Sequence, residues 1–320
     1  MEISSIAELG GRIGRNVAKV IVGKDGVIEL ALTALFAGGH LLLDDVPGTG
    51  KTTLAKALAR SAGAEFKRVQ FTPDLLPSDL TGINYFDRKQ DAFVFRPGPL
   101  FTQILLADEI NRAAPRTQSS LLECMEERQV TVDGVTYPLA EPYFVIATQN
   151  PVETQGTFPL PEAQLDRFLL RASVGYPETA QARQMLRRFA GQSPLESLQP
   201  VCTAEELAQA RRAAREVYAG DELLGYIVRL AEATRAHAAV ELGVSPRGSL
   251  ALLHAAQALA ALRGRDYITP EDVKRLAPAV FGHRLLLRDA FGASRGRAEE
   301  LVSGILEEVP VPTEDWKRGA

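Results

Sequence analysis

The sequence predicts an α/β domain, in which a parallel sheet is doubly wound with helices on both faces (αβα), followed by an all-α domain. Short apolar runs typical of buried strands alternate with helical segments in the first half of the chain. Strand-like runs stop near residue 175, and a polar stretch with Gly, Pro and Ser follows at 191–200. We therefore predict two domains, residues 1–192 and 193–320.

Each element of the first domain has its own signal. The predicted strands are continuous apolar runs, and the helices between them begin or end at Gly or Pro. The strands cover 40–44, 66–70, 104–108, 144–148 and 168–172, and the helices cover 26–38, 51–61 and 115–128. Two further segments, 85–96 and 129–139, have the pattern of β-hairpins, the second turning at Asp133-Gly134.

The second domain has only helical patterns. A capping box at Thr203–Glu206 begins the first helix, and Pro246 and Pro270 each stand in a first turn. The first expected helix starts at 204. Three others are expected at 221–237, 246–263 and 298–308, and one more begins at 269–272. Arg211, Arg212 and Arg215 are predicted to lie on a solvated helix face.

Composition excludes several classes of protein. A net charge of −4 argues against binding nucleic acid or an anionic membrane through bulk charge. Two cysteines cannot form a disulfide scaffold, and four histidines are few for a metal protein. The longest apolar region, 27–43, contains Glu29 and His40, so no membrane span is expected. We expect a cytoplasmic protein with no nucleic-acid partner.

The turn at 45–52 carries the clearest chemistry. It resembles a Walker A loop, although Asp45 replaces the first glycine of that pattern. Glycines allow backbone N–H groups to curl around a phosphate, and the following helix begins with a partial positive charge. Lys51 would reach the β- and γ-phosphates of a nucleotide, and Thr52 would bind Mg²⁺.

Two other strand ends carry polar side chains. Asp108 and Glu109 follow the apolar run 104–107, as in a Walker B motif with a catalytic glutamate. Asp108 would orient Mg²⁺ or its water, and Glu109 would polarise the attacking water. Asn150 follows the next strand, where its amide could hold that water, although Asn-Pro is also a common turn dipeptide.

These motifs together resemble the MoxR family of AAA+ ATPases. The similarity extends over most of residues 15–290. It is carried by the segments 21–23, 70–82, 95–101, 106–113, 118–130, 147–151 and 160–168. In this family the two hairpins correspond to insertions that project toward a ring pore or remodel the subunit face; from spacing alone they could equally be decorative.

The resemblance implies roles for individual residues. Asn150 corresponds to sensor 1, and Arg167 to the arginine finger that enters a neighbouring subunit's site. Arg247 corresponds to sensor 2, which reaches from the helical lid to the γ-phosphate, with the nucleotide between the two domains. The implied nucleotide contacts are Val22, Gly23, Pro47, Gly48, Thr49, Gly50, Lys51, Thr52 and Thr53. The implied Mg²⁺ ligands are Thr52 and Asp108. Arg112 and Arg116 are weaker candidates for subunit contacts.

The function that follows from the resemblance is Mg²⁺-dependent ATP hydrolysis that drives remodelling or assembly of a partner protein. Such proteins most often form six-membered rings, and the partner often bears a von Willebrand factor A domain. Three alternatives remain at this point: a magnesium-chelatase-type motor subunit, a non-hydrolysing nucleotide switch or scaffold, and a small-molecule P-loop kinase. The second helical domain and the Glu109 position argue against the kinase.

Overall fold

The structure is a computed structural model that describes residues 1–151, 156–191, 193–288 and 294–313. Its strands are β1 (Leu41–Asp44), β2 (Phe66–Gln70), β3 (Gly82–Asp87), β4 (Ala92–Pro97), β5 (Ile104–Asp108), β6 (Gln129–Val132), β7 (Val135–Pro138), β8 (Phe144–Gln149), β9 (Leu170–Ala172), β10 (Val240–Leu242) and β11 (Leu286–Leu287). Each of the five strands predicted for the main sheet is present. Their bounds agree with the prediction to within two residues at either end.

The helices connect and cover these strands. They are α1 (Ile3–Ala18), α2 (Asp25–Ala37), α3 (Lys51–Ser61), α4 (Pro77–Thr81), α5 (Pro115–Glu127), α6 (Glu162–Leu165), α7 (Thr179–Phe189), α8 (Ala204–Ala214), α9 (Asp221–Ala236), α10 (Pro246–Leu262), α11 (Pro270–Phe281) and α12 (Ser294–Glu308). The Thr203 hydroxyl accepts a hydrogen bond from the Glu206 N–H, which confirms the predicted capping box at α8.

The main sheet has the strand order β2-β5-β8-β1-β9, and every neighbouring pair is parallel. The central strands are buried on both faces, as their continuous apolar sequences require. All carboxyl ends lie at one edge of the sheet, which we call the carboxyl edge. The chain enters the strands at the opposite, amino edge.

The two faces of the sheet pack in different cores. Leu41, Leu43 and Ile146 on one face contact a core that includes α1–α3 and the C-terminal helices. Leu42 and Val145 on the other face pack with α5 and the base of the hairpins. Alternate residues of each strand therefore supply the two sides of a doubly wound sheet, as predicted.

The C-terminal helices lie against one face of the sheet domain. Helices α8 and α10 contact α1 and α2, which belong to the N-terminal segment of the chain. One apolar core, containing Leu35 and Leu259, therefore extends across the predicted boundary at residue 192. Position 192 lies outside the described residues, and the boundary itself stays a prediction. Helices α1 and α4 and the short β10–β11 pair were not predicted from the sequence.

Both predicted hairpins are present. Strands β3 and β4 pair antiparallel, and so do β6 and β7, whose turn places Asp133 and Gly134 at positive φ. The hairpins touch through stacked Phe95 and Tyr137 rings with centroids 4.2 Å apart. Among the described residues, no helix is long and apolar enough to cross a membrane.

Candidate functional site

The loop between β1 and α3 has the shape of a phosphate cradle. Gly48 and Gly50 adopt φ angles of 83° and 91°, which only glycine adopts readily, and a Cβ at either residue would meet no atom within 4 Å. The Lys51 ammonium donates to the carbonyl oxygens of Asp45 (2.6 Å) and Val46 (3.1 Å). The loop therefore folds around its own lysine and leaves open space beside its glycines.

Asp45, which departs from the Walker A pattern, ties the cradle to the segment that follows the neighbouring strand β9. One carboxylate oxygen accepts from the Val46 N–H at 3.0 Å, and the other accepts from the Gly175 N–H at 2.7 Å. Asp45 is buried. It thereby links the loop to the segment after β9, which explains why a side chain is useful at this position.

The electrostatics of Lys51 follow from its position beneath the loop. Burial lowers its pKa below the usual range, while the nearby carboxylates of Asp45 and Asp108 act to raise the pKa. The ammonium is hydrogen-bonded to two neutral carbonyl oxygens, and a phosphate group would give it an anionic partner in direct contact.

Asp108 and Glu109 lie at the carboxyl edge, at the end of β5. The Thr148 hydroxyl donates to Asp108 at 2.6 Å and accepts from the Glu109 N–H at 2.8 Å, so one buried hydroxyl positions both acidic residues. Arg68 donates to the other Asp108 oxygen from Nε (3.0 Å) and Nη2 (2.7 Å). Glu109 has a left-handed backbone, with φ of 56°. Such strain in a non-glycine residue is common at functional sites.

The Glu109 carboxylate is held by two side chains that the sequence analysis did not assign to it. Gln70 on β2 donates to Oε2 at 2.8 Å, and Arg112 pairs with the same oxygen at 3.0 Å. Gln70 is directly opposite Asp108 in the parallel ladder. Arg68 and Gln70 are two residues apart on β2 and therefore share a face of the strand. This period-two spacing was the sequence signal that could have placed both of them beside the acidic residues.

A small cavity adjoins the cradle. It measures about 100 Å³ and is walled by 20–24, the start of α3 and the segment 174–189. Of the predicted nucleotide contacts, it includes Val22, Thr49, Gly50 and Thr53. Its apolar character suits a nucleobase. All of these wall residues belong to the predicted first domain, whereas the resemblance implies a nucleotide between the two domains.

The remaining predicted contacts lie nearby. Gly23 packs against the Gln181 side chain of α7, and Pro47 is exposed in the loop. Thr52 is half-buried in the first turn of α3. Asn150 is buried at the end of β8 and lines a cavity of about 260 Å³ that also includes Asp44. Strand β8 lies between β1 and β5, so this amide stands between the cradle and Glu109.

Arg167 and Arg247 lie elsewhere, at the amino edge. Arg167 precedes β9, and it shares a cavity of about 300 Å³ with Arg247 and with Gly39, which precedes β1. Both guanidinium groups pair with Glu126 of α5, Arg167 through its Nε at 3.1 Å. Strand β1 separates them from the cradle by about 13 Å of chain. The structure thus brings these two arginines together, but not with Lys51 of the same chain.

The helical domain holds the loop that carries Arg167. Asp166 accepts from Arg284 Nε at 2.6 Å and from the Ser245 hydroxyl at 3.1 Å. Arg284, which is buried, also donates to the Phe168 carbonyl oxygen at 2.6 Å. Arg167 and Arg247 are therefore presented as one unit, in which the helical domain fixes the geometry.

The chain is similar to several known proteins. Residues 40–170 match the protein family described as "ATPase family associated with various cellular activities (AAA)". Residues 232–305 match the family described as "AAA lid domain". The chain is 50% identical to the protein YeaC of Bacillus subtilis, with 95% of each chain covered. It is 40% identical to Chaperone MoxR1 of Mycobacterium tuberculosis, with 92% of this chain and 80% of the relative covered.

A crystal structure from Cytophaga hutchinsonii, of a protein described as a candidate ATPase, superposes with a TM-score of 0.88. It is 36% identical and covers 97% of this chain and 96% of its own. The magnesium-chelatase subunit ChlI of Nicotiana tabacum is similar over less, at 30% identity with 60% of this chain and 45% of the relative covered. The fold, the cradle and the extent of these similarities agree, and the chain belongs to the MoxR family of AAA+ ATPases.

Proposed function

We propose that this protein hydrolyses ATP to ADP and phosphate at the carboxyl edge of its sheet. The observation that carries the proposal is the position of Glu109. Glu109 is the residue after Asp108 and lies at the same carboxyl edge as the Lys51 cradle. Gln70 and Arg112 hold its carboxylate in place. An oriented carboxylate beside a phosphate cradle can take a proton from an attacking water.

Mg²⁺ fits the donor set of this edge. Thr52 offers a hydroxyl and Asp108 a carboxylate, which are the hard oxygen ligands that Mg²⁺ prefers. The described residues contain no cluster of three or more His, Cys, Asp or Glu side chains suited to a metal. A metal held mainly by nucleotide phosphates and one or two protein oxygens needs no such cluster. When bound, Mg²⁺ would neutralise charge on the β- and γ-phosphates.

The chain's own residues divide the chemistry between them. Lys51 binds the β- and γ-phosphates, and Asn150 holds the water from the side of β8. Water attacks the γ-phosphorus in line, and its proton goes to Glu109. The bond between the γ-phosphorus and the bridging oxygen breaks, and ADP leaves with that oxygen.

Arg167 and Arg247 complete the site of a neighbouring subunit. Both lie at the amino edge and share one carboxylate, so a single docking event would carry both to the same place. We assign Arg247 this role in trans in place of the sensor 2 role within one subunit that the sequence resemblance implies. Head-to-tail contact between the amino edge of one subunit and the carboxyl edge of the next closes a ring, and we propose six subunits.

ATP turnover in this ring drives remodelling of a client protein. Support comes from the similarity to a protein named Chaperone MoxR1. The β3–β4 hairpin exposes Phe93 and Phe86, which suits contact with a protein surface. The client is a protein with a von Willebrand factor A domain or a protein of similar role, and no nucleic acid takes part. Two free buried cysteines fit a cytoplasmic location.

Phosphate release without an acceptor molecule, measured beside nucleotide binding, tests this proposal. Glu109→Gln should keep ATP binding and nearly abolish phosphate release, because an amide cannot accept the proton. Glu127→Gln, an exposed change of the same kind on α5, should leave both unchanged. Wild-type turnover in Glu109→Gln would place the base elsewhere. Binding without any turnover in the wild type would favour the nucleotide switch.

A magnesium-chelatase-type motor remains the second candidate function. The two hairpins fit this function as well as they fit the MoxR family, but the chelatase relative covers less of this chain than Chaperone MoxR1 does. ATP-dependent insertion of Mg²⁺ into a porphyrin, assayed with the partner subunits of that reaction, would separate it from general client remodelling.

A further inference from the structure

A second cavity at the amino edge is rich in arginine. It measures about 430 Å³ and lies between the end of α5 and the C-terminal turn of α8. The charged side chains that line it are Arg128, Arg211, Arg212, Arg215, Glu126 and Glu141. We call it the arginine cavity. None of these side chains has a role in the proposed ATPase mechanism, except that Glu126 pairs with Arg167 and Arg247.

Arg211 is the unusual member of this group. Its side chain was predicted to be solvated, and that prediction is wrong, because Arg211 is only 7% exposed. It donates to the carbonyl oxygens of Leu35 (2.7 Å) at the end of α2 and Tyr143 (3.3 Å). Its Nη2 is buried and has no hydrogen-bond partner among the described residues. Burial, and then repulsion by Arg128, lowers the pKa of Arg211 to about 9, although the Glu141 carboxylate in the cavity wall acts to raise it.

Two further guanidinium groups converge on the same region. A Cβ placed on Gly38 would lie 3.6 Å from Arg128 Nη2 and 3.8 Å from Arg215 Nη2. Arg128 donates to the Gly38 carbonyl oxygen, and Arg215 is exposed. The two Nη2 atoms therefore lie within about 7 Å of each other, and like charges at such a separation repel each other unless an anion lies between them.

The carboxylates of the cavity wall are already engaged. Glu126 pairs with Arg167 and Arg247, which lie on the other side of it. Glu141 pairs with Arg212 at 3.6 Å, and both of those side chains are largely exposed. Within the part of the chain that the structure describes, Arg128, Arg211 and Arg215 thus form no ion pair with a carboxylate. A buried cation without a counterion is costly.

We propose that the arginine cavity binds a small phosphate-class anion carrying at least two negative charges. Guanidinium groups donate in a planar fork that matches tetrahedral oxyanions, and three of them compensate a phosphate without a metal. The volume admits a phosphate or a small phosphorylated molecule. Because Glu126 and Arg128 also line the cavity of Arg167 and Arg247, an anion here would alter the field at those two arginines.

Titration calorimetry with inorganic phosphate, at constant ionic strength set with sodium chloride, tests the proposal. The full-length chain carries Lys51→Ala, which removes the cation of the ATP site. We expect phosphate to bind, and Arg215→Ala in this background to weaken binding about tenfold, the equivalent of one charge-assisted hydrogen bond. Arg215→Lys should fall between the two. Arg229→Ala removes an exposed arginine of α9, outside this cavity, and should leave the affinity unchanged.

Three results would overturn the proposal. Phosphate binding no stronger than chloride binding would show that the arginines need no multivalent anion. Equal affinities for Arg215→Ala and Arg229→Ala would place bound phosphate elsewhere. Loss of self-association in Arg215→Ala with unchanged phosphate affinity would mean that these arginines meet acidic side chains of a neighbouring subunit.

Discussion

Thr148→Val is the substitution whose effect the structure defines most closely. The Thr148 side chain is fully buried, and valine has almost the same shape. The change removes the hydrogen bonds to the Asp108 carboxylate (2.6 Å) and from the Glu109 N–H (2.8 Å). It leaves one buried acceptor and one donor without a partner. At 1–3 kcal/mol for each orphaned group, the free energy of unfolding should fall by about 3 kcal/mol.

The same change should slow turnover. Without the Thr148 hydroxyl, Glu109 loses the bond that fixes its left-handed backbone, and a misplacement of about 1 Å at a reacting group can cost about a hundredfold in rate. Urea unfolding and phosphate release measure the two effects. Thr33→Val is the matched control, since that buried threonine donates only to the Glu29 carbonyl oxygen of its own helix. Equal stability and equal turnover in the two variants would refute the positioning role of Thr148.

Three other predictions follow from the same structure. Lys51→Ala should weaken ATP binding, measured by fluorescence of a labelled nucleotide, because the cradle loses its cation; unchanged affinity would contradict the Walker A assignment. Asp45→Gly should restore the common loop sequence yet lower the melting temperature, because the bond to the Gly175 N–H is lost, and a higher melting temperature would argue against that tie. Acid should destabilise the fold, because burial lowers the pKa of His40 to about 3 and that of His283 well below its usual range. Between pH 6.5 and pH 5 both histidines take up protons only on unfolding. Each of them therefore lowers the free energy of unfolding by about 1.4 kcal/mol per pH unit below pH 6.5. His40→Gln should lose less stability than wild type over this range, measured by urea unfolding at each pH.

The parts of the fold that sequence predicted are those with a local cause. The runs 66–70 and 104–108 are strands with the predicted bounds, since a strand buried on both faces must be apolar throughout. Helix α1 was missed because Gly10, Gly11 and Gly14 lower its intrinsic helix propensity, and its stability comes from packing against α10.

The residues of the candidate site also fall into two groups: those that a local motif predicts and those that only the fold brings together. Gly48, Lys51 and Asp108 lie in motifs whose spacing alone indicates their chemistry. Gln70 and Thr148 act across neighbouring strands, so only the strand order brings them to Glu109. The burial of Arg211 depends on where α8 meets the end of α2, which no local pattern encodes. The same is true of Arg247, whose position depends on how the helical domain packs.

The central claim is that one subunit completes the active site of the next. Arg167→Ala keeps its own Glu109 but cannot serve its neighbour, whereas Glu109→Gln cannot hydrolyse ATP but still presents Arg167 and Arg247. The direct measurement is the ATPase rate of an equal mixture of the two variants, after light scattering has shown that they assemble together. Random head-to-tail contacts would pair an intact Glu109 with an intact Arg167 at about a quarter of the interfaces, so we predict recovery of about a quarter of the wild-type rate. A co-assembled mixture as inactive as either variant alone would contradict the account.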